Sequence, residues 1–236
     1  MRILSYRTAS PTWRALIPGL MLSAVGVFAF GAVLDQFLDR NDIYLLDQPA
    51  LNWLVSIRTE WLTTVLTWIT NAFGPVVLPI VVGVACAVWA RATRRWRDPV
   101  LLVCAMVMST AIAALVKMIV HRPRPAADLQ VIPGLETSFS FPSGHTTGAA
   151  TLVLVTAYLV WRHHRGGRQF LAWMGASVII VVLVGGSRLY LGYHFVTDVL
   201  AGASLGVVTL GLVVATSRWL DLRGRHPAAV EAAART

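Results

Sequence analysis

Residues 99–125 of the chain read PVLLVCAMVMSTAIAALVKMIVHRPRP. The run is almost free of charge until Lys117, and a cluster containing His121, Arg122 and Arg124 follows it. A helix of about 20 mostly apolar residues is long enough to cross the hydrocarbon core of a bilayer. Charged side chains in such a helix are costly and usually mark a functional site. Lys117 is the only lysine among the 20 basic residues, so this segment predicts both a membrane span and a site.

The composition of the whole chain agrees with a membrane protein. Of its 236 residues, 56% are hydrophobic and only 13% are charged, whereas soluble domains have about 25% charged residues. Six apolar runs predict an all-α, polytopic bundle of six transmembrane helices, with an active site at the outer interface. The runs are residues 15–34, 61–90, 99–120, 144–161, 170–186 and 199–217. The second run is too long for one straight span, and Gly74-Pro75 predicts a break within it.

The net charge of +9 is compatible with nucleic-acid binding, but the positions of the charges favour a topology signal. With six spans, 14 of the 20 basic residues fall on one side of the membrane. The positive-inside rule then places both termini in the cytoplasm. We therefore expect a cytoplasmic N-terminus (residues 1–14), a single six-span domain (15–217) and a cytoplasmic tail (218–236). Membrane lipids are the expected surroundings, nucleic acid is not an expected partner, and the sequence indicates no oligomeric state.

Two further polar segments reach the same outer boundary on this topology. The first is Pro142-Ser143-Gly144-His145, and the second is Ser187-Arg188 followed by His194 and Asp198. Ser143 fits the N-cap of a helix, and the free amides that follow it can bind an anion. His194 and Asp198 are four residues apart and therefore share one helical face.

The combined set of cations, amides, imidazoles and a carboxylate suits a phosphate undergoing substitution. His194 can attack phosphorus while Asp198 fixes the tautomer of the imidazole. His145 can protonate the departing oxygen and then activate water. Asp198 is the only carboxylate in these segments, so a two-metal phosphatase is not expected. No cofactor is expected. Asp128 and Glu136 lie in the outer loop and are expected to be solvated.

Each segment alone also has an ordinary structural explanation. A lysine near the end of a span can extend its side chain to the interface, and a serine often precedes a helix. A histidine and an aspartate four residues apart can be a packed polar pair or half of a metal site. The ordered set on one membrane face favours a site over these alternatives. The roles of Arg122 and His121 stay open, because either residue can belong to the site or line its entrance.

The three segments resemble the signature of the type 2 phosphatidic acid phosphatase family, which is related to vanadium haloperoxidases. Its pattern is K-x-x-x-x-x-x-R-P, then P-S-G-H, then S-R-x-x-x-x-x-H-x-x-x-D, and this chain matches it without substitution. The resemblance implies His194 as the nucleophile, Asp198 as its partner and His145 as the acid. It also implies a metal-independent enzyme that acts on lipid phosphates at the outer surface. The phosphate-binding residues that it implies are Lys117, Arg124, Ser143, Gly144 and Arg188.

We therefore expect a lipid phosphate or diphosphate phosphatase that works through a phosphohistidine. An undecaprenyl-type diphosphate is the favoured substrate, with phosphatidylglycerophosphate and phosphatidate as close competitors. A phosphotransferase that uses the same intermediate is the first alternative. A lipid transporter would need charges and broken helices near the middle of the bilayer, and a haloperoxidase would gain nothing from membrane spans, so both are disfavoured.

Overall fold

The computed structural model of the protein describes residues 12–164 and 166–233, and every regular element in this part is helical. The all-α prediction is therefore confirmed. The helices are α1 (Thr12–Asp39), α2 (Asp47–Ser56), α3 (Glu60–Ala72), α4 (Val77–Thr93), α5 (Arg97–Val120), α6 (Gly144–His164), α7 (Gly167–Tyr190) and α8 (Val196–Ala233), with short 3-10 turns at Asp42–Leu46 and Ala127–Leu129. Most of the expected tail, residues 218–233, continues α8 as helix. Residues 1–11 of the expected N-terminus and residues 234–236 of the tail lie outside the described part.

Four helices, α1, α5, α7 and α8, are long and apolar enough to cross a membrane. The pair α3 and α4 passes the same test as a fifth span, with a bend of 53° between the two helices. The bend lies at Gly74-Pro75, which confirms the predicted break, because proline cannot donate the hydrogen bond that would continue a helix. Length and composition therefore support four or five spans, and the sixth stays a prediction.

α6 does not pass this test of length and hydropathy, although its 21 residues are enough for a span. Its first turns contain Thr146 and Thr147, and it ends in Arg162, His163 and His164. α6 packs against α5, α7 and α8, and no residue from 145 to 162 is exposed. Because α6 faces protein on most sides, it does not need the apolar surface that a lipid-facing helix requires.

The close approach of α8 to its neighbours holds the bundle together. α8 packs against α1 along its length and crosses α6 near the site. At Gly206 of α8, a side-chain carbon would overlap the Ala150 methyl group and contact the α6 backbone. Small residues at such crossings let membrane helices gain packing energy at short separation.

An ion-pair cluster ties α5, α6 and α8 at the end of the bundle opposite to Lys117. Arg162 on α6 contacts Asp98 on α5 at 3.2 Å and Asp221 on α8 at 3.0 Å. Arg97 pairs with Asp221 at 2.6 Å, and His163 lies 2.6 Å from Asp98. Arg97, Arg162 and His163 at this end therefore have defined acidic partners.

The glycine at the α6–α8 crossing gives a stability prediction. We expect Gly206→Leu to lower the free energy of unfolding by about 1–3 kcal/mol, because the added side chain overpacks the contact with α6. Thermal or denaturant unfolding of the detergent-solubilised protein measures this change.

Gly83→Leu is the matched control. Gly83 lies on α4 and has no neighbouring atom within 4 Å of an added side-chain carbon, so its replacement should change stability by no more than about 0.5 kcal/mol. Equal stability of the two variants would contradict the proposed role of the Gly206 contact.

Candidate active site

The three polar segments of the sequence meet at one end of the bundle. The backbone N–H of Ser143 donates to the carbonyl oxygen of Asp198 over 3.0 Å, which joins the start of α6 to the first turn of α8. The guanidinium of Arg124 lies 3.3 Å from the imidazole of His194. Lys117, in the last turn of α5, donates to the carbonyl oxygens of Phe139 and, over 3.2 Å, Ser140. The fold thus brings together residues that are up to 81 positions apart in sequence.

The imidazole of His194 is held between a carboxylate and a guanidinium. Its Nδ1 lies 3.2 Å from Oδ2 of Asp198, and its Nε2 lies 3.3 Å from Nη1 of Arg124. With Nδ1–H donating to Asp198, Nε2 carries a lone pair directed toward the arginine side of the site. Both His194 and Asp198 are buried.

The surroundings of His194 favour its neutral form. Burial lowers the pKa of this imidazole well below its ordinary value, and the positive charges of Arg188, Arg124 and Lys117 lower it further. A neutral imidazole has the free lone pair that nucleophilic attack requires.

A tight turn between α7 and α8 positions His194. Gly192 in this turn has a φ of +82°, a conformation that residues with a side chain rarely adopt. A side-chain carbon at Gly192 would also collide with the carbonyl oxygen of Leu129. The sequence prediction did not include Gly192, although a glycine two residues before His194, the predicted nucleophile, was a signal available in the sequence.

The carboxylate of Asp198 is fully occupied by donors. Besides His194, its Oδ2 accepts from the backbone N–H of Phe195 over 2.9 Å and from the hydroxyl of Ser140. Its Oδ1 accepts from Arg122 over 2.6 Å. Hydrogen bonds to both oxygens fix the rotation of the carboxyl group and therefore the direction in which it presents Oδ2 to His194.

The expectation that Glu136 is solvated was wrong. Its carboxylate bridges two of the predicted phosphate-binding residues, with Oε2 2.6 Å from Arg124 and Oε1 paired with Arg188. Arg124 also donates to the Ser138 carbonyl over 2.7 Å, which folds the loop back over the site. Glu136 turns inward because its carboxylate is attracted by the two neighbouring guanidinium groups of Arg124 and Arg188. Asp128 is exposed, as expected.

The charge of Glu136 is strongly stabilised in this position. Burial by itself raises the pKa of this carboxyl, but the positive charges of Arg188 and Arg124 outweigh burial and lower the pKa to about 2. The carboxylate therefore marks a position where an anion meets both arginines of the site.

The remaining predicted residues frame this position. Arg188 is buried and donates to the hydroxyl of Thr70 over 2.9 Å. Ser143 is buried directly before α6, where its hydroxyl accepts from that of Thr146 over 3.1 Å, while Gly144 is exposed at the first position of the helix. His145 follows and is half-buried.

Arg122 and His121 have different surroundings. Arg122 is buried and pairs with Asp47 and Asp198, each over 2.6 Å, which favours a place in the site over the entrance, the two alternatives left open from the sequence. No local pattern in the sequence indicates the pairing of Arg122 with Asp47, because Asp47 is 75 residues away. His121 is exposed, and the edge of its ring packs against Phe139 with centroids 4.6 Å apart.

No group of three or more His, Cys, Asp and Glu side chains suited to a metal ion occurs in the part of the chain that the structure describes. The charges in the candidate site are instead those of arginine, lysine, histidine and carboxylate side chains.

Comparison with known proteins agrees with this architecture. A model of the PAP2 superfamily matches residues 98–221, which include all three polar segments. The chain is 34% identical over 196 residues to phosphatidylglycerophosphatase B of Bacillus subtilis, covering 82% of this chain and 94% of that protein. It is 38% identical over 74 residues to undecaprenyl-diphosphatase of Sulfolobus acidocaldarius, covering 30% of each chain.

A solved structure supports the same assignment. The fold is similar to the crystal structure of a transmembrane PAP2-type phosphatidylglycerolphosphate phosphatase from Bacillus subtilis, with a TM-score of 0.69 and 30% identity over 83% of this chain and 94% of that one. Shared sequence, shared fold and an arginine-rich site next to a buried histidine all point the same way. The chain therefore belongs to the PAP2 superfamily and is a multi-pass membrane enzyme, a lipid phosphatase of the PAP2 type.

Proposed function

We propose that the enzyme hydrolyses a lipid phosphate at the outer membrane surface through a phosphohistidine on His194. The observation that carries the proposal is the carboxylate of Glu136, which is bound by Arg124 and Arg188 beside that imidazole. A site that holds a carboxylate between two guanidinium groups can hold the oxygens of a phosphoryl group in the same way. A nucleophile within reach of those oxygens then makes substitution at phosphorus the natural reaction.

In this mechanism the substrate phosphoryl group displaces Glu136 from the two arginines. Lys117 and the amides at the start of α6 complete the neutralisation of the phosphoryl oxygens. Nε2 of His194 attacks phosphorus, and the bond from phosphorus to the leaving oxygen of the lipid breaks. His145 donates a proton to that oxygen.

Hydrolysis of the intermediate reverses the roles. His145 takes a proton from water, the oxygen of that water attacks phosphorus, and the phosphorus–nitrogen bond breaks to release inorganic phosphate and neutral His194. Asp198 keeps its hydrogen bond with Nδ1–H throughout and stabilises the positive charge that the imidazole gains.

The substrate is proposed from the location of the site and from the relatives. Lys117 and Arg188 lie in the last turns of α5 and α7, so a lipid can present its phosphate there while its acyl or prenyl chains stay in the bilayer. The relative that matches most of this chain is named for phosphatidylglycerophosphate, which makes this lipid the first candidate. Undecaprenyl diphosphate, favoured from the sequence, is the second, supported by the shorter match to an undecaprenyl-diphosphatase.

The decisive experiment measures phosphate release from a panel of these lipids and phosphatidate by the purified protein. We expect His194→Ala to lower turnover by about 10⁴-fold or more, because the nucleophile is lost. Activity should persist in EDTA. His163→Gln, at the opposite end of the bundle, is the control and should retain activity. Turnover by His194→Ala close to that of the wild type, or a strict need for added metal, would refute the mechanism. Transfer of phosphate to a lipid hydroxyl would indicate a phosphotransferase.

We also propose six spans, with residues 1–14 and 218–236 in the cytoplasm, residues 15–217 as the membrane domain, and the site facing outward. Two exposed positions test this orientation in a variant without Cys86 and Cys104. A cysteine at Asp128 should react with a membrane-impermeant maleimide in intact cells. A cysteine at Arg95, in the link between α4 and α5, should react only after permeabilisation. The reverse pattern would place the site inside.

The position of Glu136 predicts a gain in anion affinity when its charge is removed. Glu136→Gln should lower the inhibition constant of inorganic phosphate by about three- to tenfold, because the anion no longer competes with a charge-assisted pair. Since the pKa of Glu136 is about 2, its carboxylate is ionised at all working pH values, and the effect should not depend on pH between about 5 and 8.

The control for this prediction is Asp128→Asn, which removes an exposed carboxylate from the same loop. This variant should leave the inhibition constant unchanged. An unchanged or weaker phosphate affinity in Glu136→Gln would show that the carboxylate does not occupy the anion position of the active protein.

A further inference from the structure

We infer that Arg122 and Asp47 are positioning residues for the reaction: Asp47 orients the guanidinium of Arg122, and Arg122 holds Asp198 in the orientation that His194 requires. This inference rests on the proposed function, in which His194 is the nucleophile. It concerns Arg122, which occupies an unspecified position within the first segment of the signature, and Asp47, which lies in a helix far from the signature in sequence.

The guanidinium of Arg122 connects two carboxylates with separate nitrogens. Nη1 lies 2.6 Å from Oδ1 of Asp198, and Nη2 lies 2.6 Å from Oδ2 of Asp47. Nη1 also donates to the hydroxyl of Thr197 over 2.6 Å. The planar arrangement of the guanidinium donors means that the position of one carboxylate fixes the direction from which the other is bound.

The two oxygens of Asp198 have different tasks in this arrangement. Oδ2 faces Nδ1 of His194, whereas Oδ1 is bound by Arg122. Loss of the Arg122 bond would release one oxygen and allow the carboxyl group to rotate about its bond to Cβ. The imidazole would then lose the fixed direction that places Nε2 toward the phosphate position.

Asp47 anchors this assembly to the first turn of α8. It is the first residue of α2 and accepts from the backbone N–H of Thr197 over 3.0 Å and from the Thr197 hydroxyl over 2.6 Å. Thr197 is adjacent to Asp198, so the same carboxylate holds both Arg122 and the backbone next to the residue that Arg122 binds. The position of α2 at the outer end of the bundle is thereby coupled to the site.

Aromatic rings fix the plane of the Arg122 guanidinium. Its central carbon lies 4.6 Å from the ring centroid of Phe37 on α1 and 4.2 Å from that of Phe195, which precedes α8. The ring of Tyr44 lies on the same group at 5.7 Å. Cation–π contacts of this kind favour arginine over lysine, because a flat guanidinium can stack and donate at the same time.

A buried ion-pair network of this kind could serve stability alone, and catalytic measurements separate the two roles. The side chains of Arg122 and Asp47 are each 4% exposed, so removing either leaves an uncompensated buried charge and destabilises the protein in both cases. Only a positioning role also slows the chemical step while the binding of phosphate by Arg124 and Arg188 stays intact.

The test uses the full chain with Arg122→Gln, Arg122→Lys and Asp47→Asn. Hydrolysis of phosphatidylglycerophosphate gives kcat and KM, a single-turnover assay gives the rate of phosphohistidine formation, and inhibition by inorganic phosphate reports the anion site. We expect Arg122→Gln to lower kcat and the phosphorylation rate by about 10- to 100-fold, as found for residues that orient metal-bound histidines. KM and the phosphate inhibition constant should not change.

The other two variants should have kcat values between those of the wild type and Arg122→Gln. Asp47→Asn should lower kcat less than Arg122→Gln, because Arg122 can still reach Asp198. Arg122→Lys should recover part of the lost kcat, because it keeps the charge but supplies a single point donor.

Arg162→Gln is the matched control, because Arg162 also bridges two carboxylates, Asp98 and Asp221, at the opposite end of the bundle. It should lower the melting temperature but keep wild-type kcat at temperatures well below it. A wild-type kcat in folded Arg122→Gln or Asp47→Asn would overturn the inference. If Arg122→Gln does not fold, the kcat of Asp47→Asn, which preserves side-chain volume, decides the question. A wild-type kcat in these variants together with an inactive His194→Ala would overturn the inference but not the proposed function.

Discussion

The attraction of two guanidinium groups, one buried and one half-buried, for one anion is the interaction on which this site depends. Arg124 and Arg188 come from different parts of the chain, and a single carboxylate from the intervening loop satisfies both. Positive charges at the rim of an apolar bundle would repel one another without such a counter-charge, because the surrounding dielectric is low. The protein therefore has a formed position for an anion, and in the proposed function a phosphoryl group replaces Glu136 there without further ordering of the arginines. Preorganised charges of this kind lower the barrier because they need not rearrange as the reaction proceeds.

Helix packing gives these charges their fixed positions. Lys117 and Arg188 are placed by the ends of α5 and α7, while Ser143 and Asp198 are placed by the starts of α6 and α8. The close crossing of α6 and α8 at Gly206 keeps the latter two starts together. Since the packed helices cannot shift by small amounts without loss of contact, geometry at the site follows from packing many residues away from it.

Much of this arrangement can be predicted from the sequence. The parts that cannot be predicted have one physical cause in common. The apolar runs predict where helices lie, and the spacing of Lys117, His145 and His194 relative to those runs predicts that their segments meet at one end. Hydropathy predicts the positions of these helices well because most of them face lipid. It is less informative for α6, which faces protein and contains polar residues that its neighbours cover.

The ion pairs of Glu136 and Asp47 could not be predicted, unlike the pair of His194 and Asp198, because they join residues that are far apart in sequence. Glu136 meets Arg188 across 52 positions of sequence, and Asp47 meets Arg122 across 75. An acidic residue in a loop is most often solvated, and only the folded path of the loop shows that Glu136 turns inward. The positive φ of Gly192 is likewise a property of the turn between α7 and α8 rather than of an apolar pattern.

The charge balance around Asp198 explains why Arg122 is itself paired. In the proposed mechanism, a single guanidinium on Asp198 would neutralise the carboxylate and weaken its attraction for the His194 imidazole, which would become positive during attack on phosphorus. Asp47 shares that guanidinium, so one positive and two negative groups leave a single negative charge in the cluster. The cluster thus keeps the orientation that Arg122 provides without losing the charge that His194 needs. Because Asp47 belongs to α2, this short helix contributes to the electrostatics of the site although none of its residues belongs to the signature.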